Sequence, residues 1–288
     1  MLASRSLTTI AICEMWVGPL PRSIAISYRR GLAPAGERAP QRDTLRRAPG
    51  VVGATIVAAP SSTAGAIVRT PMRPLIGTSW KMNLTATQAG SWFDAFLPAV
   101  RDVVDRDLFV LPPFTAIWVA RERLAGSPIA WGAQDVSADE PGAHTGDIAA
   151  PMLADLGCTI VEIGHSERRR DHGEMPGLIA RKVRAVLRAG MRPLVCIGEP
   201  TRSTVDETVA ALIDDLEACL TGVLAEELAR VIVAYEPWWA IGEGAVAADA
   251  RAVGEVQRAL ASWLTARADG GRGPVIYGGS VDVRTAPA

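Results

Sequence analysis

Residues Thr159 to Gly198 read TIVEIGHSERRRDHGEMPGLIARKVRAVLRAGMRPLVCIG. An apolar run, Thr159 to Gly164, leads through a charged turn into an amphipathic stretch, Pro176 to Ala189, and then into a second apolar run, Pro193 to Gly198. That alternation is the pattern of two parallel strands joined by a helix that covers them. It continues in both directions. Upstream, strands are expected at Leu75 to Trp80, Leu108 to Leu111 and Ile129 to Gln134; downstream, at Val231 to Tyr235 and Pro274 to Gly278. Further helices are expected at Thr85 to Val104, Pro151 to Leu156, Thr204 to Leu220 and Asp249 to Ala268. The seven units form one α/β array with no linker, which closes as an eight-stranded barrel or opens as a doubly wound sheet. No GxGxxG follows the first strand, which argues against a dinucleotide-binding sheet.

The chain has 288 residues, 49% hydrophobic and 21% charged, which excludes the disordered and fibrous classes. Lys and Arg number 30 against 31 Asp and Glu. A surface so nearly neutral gives no general attraction to nucleic acid or to a membrane, and neither is expected as a partner. Cys13, Cys158, Cys196 and Cys219 make no CxxC pair and no metal-ligand spacing with the three histidines. Neither a metal site nor a disulfide framework is expected, and a reducing, cytoplasmic setting fits.

That balance is uneven along the chain. Before Met72 stand nine arginines against Glu14, Glu37 and Asp43. This segment, residues 1–71, is rich in Arg, Ala and Pro and lacks sustained periodicity, so it reads as a poorly ordered extension ahead of the domain at 72–288. The uncharged stretch Gly50 to Val68 follows Arg46 and Arg47 like a signal segment, but Pro60, Ser61 and Ser62 break it.

In parallel α/β folds, chemistry collects at the carboxyl ends of strands. The first strand ends in Ser79-Trp80-Lys81-Met82-Asn83 and places an ammonium at the mouth. The fourth ends in Gly164-His165-Ser166-Glu167, with an imidazole where a helix begins. A helix amino end disfavours imidazolium and so holds His165 neutral, able to donate a hydrogen bond. The sixth ends in Tyr235-Glu236-Pro237-Trp238-Trp239-Ala240-Ile241-Gly242, a carboxylate on an apolar strand followed by a lid-like segment. Desolvation there makes the carboxylate a stronger base. The seventh ends in Gly278-Gly279-Ser280, small residues whose backbone N–H groups can approach an anion.

Trp80-Lys81-Met82-Asn83, GAHTG at 142–146, IGHSERR at 163–169, AYEPWWAIG at 234–242 and YGGSV at 277–281 resemble, in this order, the motifs of the triosephosphate isomerase family. The resemblance implies a TIM (β/α)8 barrel. It also implies conversion of dihydroxyacetone phosphate to glyceraldehyde 3-phosphate through an enediolate, without cofactor or metal. By the same resemblance, Glu236 is the base, neutral His165 polarises the carbonyl, Lys81 stabilises the enediolate and Glu167 supports them. Gly242, Gly279 and Ser280 would bind the phosphate, and lid closure, as known for this family, would exclude water.

Two departures qualify this expectation. Ser79 stands where the family usually carries asparagine, at a position that contacts substrate. With the GTSWKMN start, it resembles the branch that isomerises four-carbon ketose phosphates such as L-erythrulose 1-phosphate. No eighth βα unit follows Tyr277 to Val281, so the barrel is expected to lack it, with two strand edges unpaired. An inactive family member serving only as a binding partner is the reading this absence favours; Lys81, His165 and Glu236 favour the enzyme. The resemblance also implies a homodimer in which the loop Gln134 to Asp147, with Thr145 near its tip, enters the neighbouring subunit.

Overall fold

The computed structural model describes residues 12–14, 73–241, 248–269 and 271–279. Two of the expected site residues, Gly242 and Ser280, lie outside these residues, as does the extension before Met72 apart from Ile12–Glu14.

The strands are β1 (Ile12–Glu14), β2 (Leu75–Ser79), β3 (Asp107–Leu111), β4 (Ala130–Ala133), β5 (Ile160–Ile163), β6 (Arg192–Ile197), β7 (Ile232–Tyr235) and β8 (Val275–Tyr277). They pair in chain order, each parallel to the next. Parallel strands buried on both faces need apolar residues on both, and β5 and β7 are buried along their whole length. The two faces have different neighbours. Leu75, Phe109, Ile160, Leu194, Ile232 and Ile276, from six different strands, meet in one cluster. Residues from so many strands share one interior only if the sheet curls round on itself, so β2 to β8 form the wall of a nearly closed barrel. Alternate residues, such as Val161, Ile163 and Val233, point outward against the helices.

The helices are α1 (Ala86–Val100), α2 (Ile117–Leu124), α3 (Ala150–Asp155), α4 (Ser166–His172), α5 (Pro176–Arg188), α6 (Val205–Cys219) and α7 (Ala250–Arg267). Capping boxes at Thr85 with Gln88 and at Thr204 with Glu207 satisfy the first amides of α1 and α6. The inward face of α5 carries Ile179, Val183, Val186 and Leu187, at helical spacing, and Gly190 with φ 83° follows its end. α2 was not expected, because Arg121, Glu122 and Arg123 interrupt its apolar positions; Ile117, Ala120 and Leu124 bury its inner face.

β1 departs from the expectation that the first strand of the barrel has an open edge. Ile12 lies opposite Gly77, Cys13 opposite Thr78 and Glu14 opposite Ser79, in parallel register. An edge strand exposes a row of unpaired amides and carbonyls, and a short segment far away in sequence meets that need. No three-residue run announces such pairing, since its cause is the partner's edge and not its own periodicity.

Candidate active site

The carboxyl ends of four strands, β2, β5, β7 and β8, carry the site. β2, β7 and β8 each continue for one residue past their regular end: Trp80 N–H donates to Leu111 O, Glu236 N–H to Ile197 O and Gly278 N–H to Tyr235 O. These bonds fix the backbone beside Lys81, at Glu236 and at Gly278. Lys81 itself has φ 54°, a left-handed conformation that costs a non-glycine residue free energy and is found where function over-determines the backbone.

His165 is the N-cap of α4, and its Nδ1 accepts from the backbone N–H of Glu167 at 3.1 Å. A neutral imidazole that accepts at Nδ1 carries its proton on Nε2. Burial, together with the charges of Lys81 and Arg170, lowers the pKa of His165 to about 3. The ring is therefore neutral at pH 7. Its Nε2 edge touches Lys81 Nζ and stands 3.5 Å from Glu236 Oε2. The Glu167 carboxylate lies 3.7 Å from Lys81 Nζ and 3.6 Å from His165 Nδ1. Glu236 is 2% exposed, so its carboxylate is nearly stripped of water. A cation, an imidazole that can donate and a buried carboxylate thus converge on one point at the barrel's carboxyl end. That set can remove a proton from a carbon while holding the adjacent oxygen.

The remaining expected residues sit close by. Ser79 is buried at the end of β2, where its hydroxyl donates to Glu162 Oε2 at 2.7 Å. Gly279 follows β8, and a side chain on it would collide with the hydroxyl of Tyr277. The segment after Glu236 is anchored: Trp239 Nε1 and Tyr235 Oη both donate to Glu199 Oε1, at 2.8 and 3.2 Å, and Trp238 N–H donates to Glu199 O at 3.0 Å. The Arg202 guanidinium stacks on the Trp239 ring at 4.3 Å.

Residues the sequence reading did not single out hold this arrangement. Arg169 donates to Gly164 O, Asp215 and Cys196 O, tying the start of α4 to β6 and α6. Lys182 donates to Asp135 and Glu174, both at 2.6 Å, and Arg168 bridges the same two carboxylates. The run of arginines after His165 was visible in sequence, but Asp135 and Asp215, which Arg168 and Arg169 meet, are distant along the chain.

The sequence model described as Triosephosphate isomerase matches residues 74–287. A triosephosphate isomerase of Roseiflexus sp. (strain RS-1) is 42% identical over 212 residues, 72% of this chain and 83% of that protein. One from Corynebacterium diphtheriae is 43% identical over 221 residues, 74% of this chain and 84% of that protein. The crystal structure of triosephosphate isomerase from Bartonella henselae superposes with a TM-score of 0.62 at 31% identity, covering 73% of this chain and 84% of that one. Shared sequence over three quarters of the chain, a shared parallel barrel and strand-end residues meeting at one point lead to a single conclusion: the chain belongs to the triosephosphate isomerase family.

Proposed function

We propose that this chain interconverts dihydroxyacetone phosphate and glyceraldehyde 3-phosphate. Glu236 takes a proton from one carbon and returns it to the next. The Nε2–H of His165 donates to the carbonyl oxygen and moves the oxygen-bound proton, while Lys81 stabilises the negative charge of the enediolate. Glu167 supports both through its carboxylate and its backbone N–H. Ser79 contacts the sugar, and Gly279 with Gly242 and Ser280 holds the phosphate. No electrons leave the substrate, so the reaction itself calls for no redox cofactor.

The single observation behind this reading is the contact of Lys81 Nζ with His165 Nε2, with Glu236 Oε2 at 3.5 Å from the same nitrogen. Purified chain assayed with glyceraldehyde 3-phosphate should turn over. Silence toward that substrate and toward L-erythrulose 1-phosphate would overturn the proposal.

A second reading, isomerisation of a four-carbon ketose phosphate, is favoured by Ser79, whose short side chain is engaged by Glu162. The ratio of kcat/KM for the two substrates decides between them. The loop from Gln134 to Asp147 supports a homodimer: residues 139–147 are exposed, and a Ser137 to Asp147 hydrogen bond of 3.0 Å closes its base. A monomeric mass at micromolar concentration would overturn that assignment. No helix among the described residues is long and apolar enough to cross a membrane, and a cytoplasmic location accords with the three described thiols being free.

A further inference from the structure

β5 carries one charged side chain, Glu162, between Val161 and Ile163. Val161 and Ile163 belong to the outer core, whereas Ile160 belongs to the interior. Side chains alternate along a strand, so Glu162 faces inward with Ile160. It is 2% exposed. A carboxyl inside a barrel is costly, and an apolar residue would pack there without that cost. Its contacts account for its presence.

Ser79 donates to Glu162 Oε2 at 2.7 Å, and Cys196 Sγ approaches Oε1 at 3.9 Å. One donor atom each from Glu162, Cys196 and Glu236 lie within 4.8 Å of one another. Ser79 stands two residues before Lys81 at the end of β2, and Cys196 stands in β6 beside the strand that ends in Glu236. The Glu162 carboxyl thus joins the segment that bears the cation to the strand neighbouring the base. Burial pushes this carboxyl above the usual carboxylate range, against the pull of Lys81 and Ser79, which suits a hydrogen-bonding group lodged beside another carboxylate.

We propose that Glu162 is a positioning residue of the isomerisation: by engaging Ser79 and Cys196 together, it sets the floor beneath Lys81 and Glu236 and so the spacing of cation and base. The inference rests on the isomerase reading above, and activity of the parent chain separates the two: a silent parent defeats that reading, whereas an active parent puts Glu162 to the test.

The experiment is steady-state kinetics of Glu162→Leu and Glu162→Gln beside the parent, with folding followed by circular dichroism and thermal melting. Glu162→Leu is expected to lower kcat by about 10²-fold, the usual effect of displacing reacting groups by about an ångström, with KM within about threefold. Glu162→Gln, which keeps the shape and an acceptor for Ser79, should restore kcat to within about fivefold of the parent. A merely structural role would lower the melting temperature and leave kcat per folded molecule unchanged, and that result would overturn the proposal. So would a Gln variant as impaired as the Leu variant. If Glu162→Leu does not fold, Glu162→Met, closer in length, carries the same expectation and the same overturning result.

Discussion

Gly278 packs directly against the side chain of Glu236, so that a Cβ at position 278 would occupy the space of the Glu236 carboxyl. The backbone cannot yield, because Gly278 N–H is bonded to Tyr235 O at 2.9 Å. Gly278→Ala should therefore move the carboxylate while leaving the barrel folded. We expect kcat to fall by about 10²-fold with an unchanged circular dichroism spectrum; retention of full turnover would show that Glu236 has room to spare.

His165 links the site to acid stability. In an unfolded chain the imidazole takes up its proton near its ordinary 6.5, whereas burial first, then Lys81 and Arg170, holds the folded value at about 3. Between those values only the unfolded chain binds the proton. Stability from this residue is complete above about pH 6.5 and declines as pH falls toward 3, by about 2 kcal/mol at pH 5. Urea melts of the parent and of His165→Gln between pH 4 and 8 measure the difference. The parent's added pH dependence should vanish in the variant.

The buried ion network predicts a large loss of stability. Lys182 is 5% exposed and bonds Asp135 and Glu174 together. Lys182→Met would leave two carboxylates in the interior with Arg168 as their remaining neighbour in this network. Breaking a buried pair from one side costs about 3–5 kcal/mol, and chemical denaturation should register a loss of that order.

Glu199 anchors the segment that follows the base. Glu199→Ala strands the Trp239 indole N–H and the Tyr235 hydroxyl, at about 1–3 kcal/mol for each donor left without a partner. Because these donors flank Glu236, kcat and KM should change together. A variant that lost stability and kept both constants would separate the anchor from catalysis.

The array of strands was legible because each barrel strand is a short apolar run and each major helix is amphipathic; observed and expected ends differ by a few residues at most, as at Ala130–Ala133 and Ala86–Val100. Lys81, His165 and Glu236 were legible because strand carboxyl ends are where such folds place polar groups. Other features depend on partners that local sequence does not display. Glu162 reads as a lone charge in an apolar run until Ser79, 83 residues away, is seen to hold it. Asp135, bound by Lys182, is likewise brought in from 47 residues away. β1 is a response to the edge of β2, and three residues carry no period from which to infer it.

That short strand reverses the order in which parts of the sheet are made and used. Ile12–Glu14 is synthesised before residues 15–74 and has nothing to lie against until Leu75–Ser79 has emerged behind it. The long span between them adds little to the equilibrium cost, since closure entropy grows only as the logarithm of length, about 0.6 kcal/mol per doubling. Its effect is on timing: the earlier strand of the pair is seated late, and for as long as it waits, the margin of the nascent sheet is open to any foreign extended segment that arrives sooner.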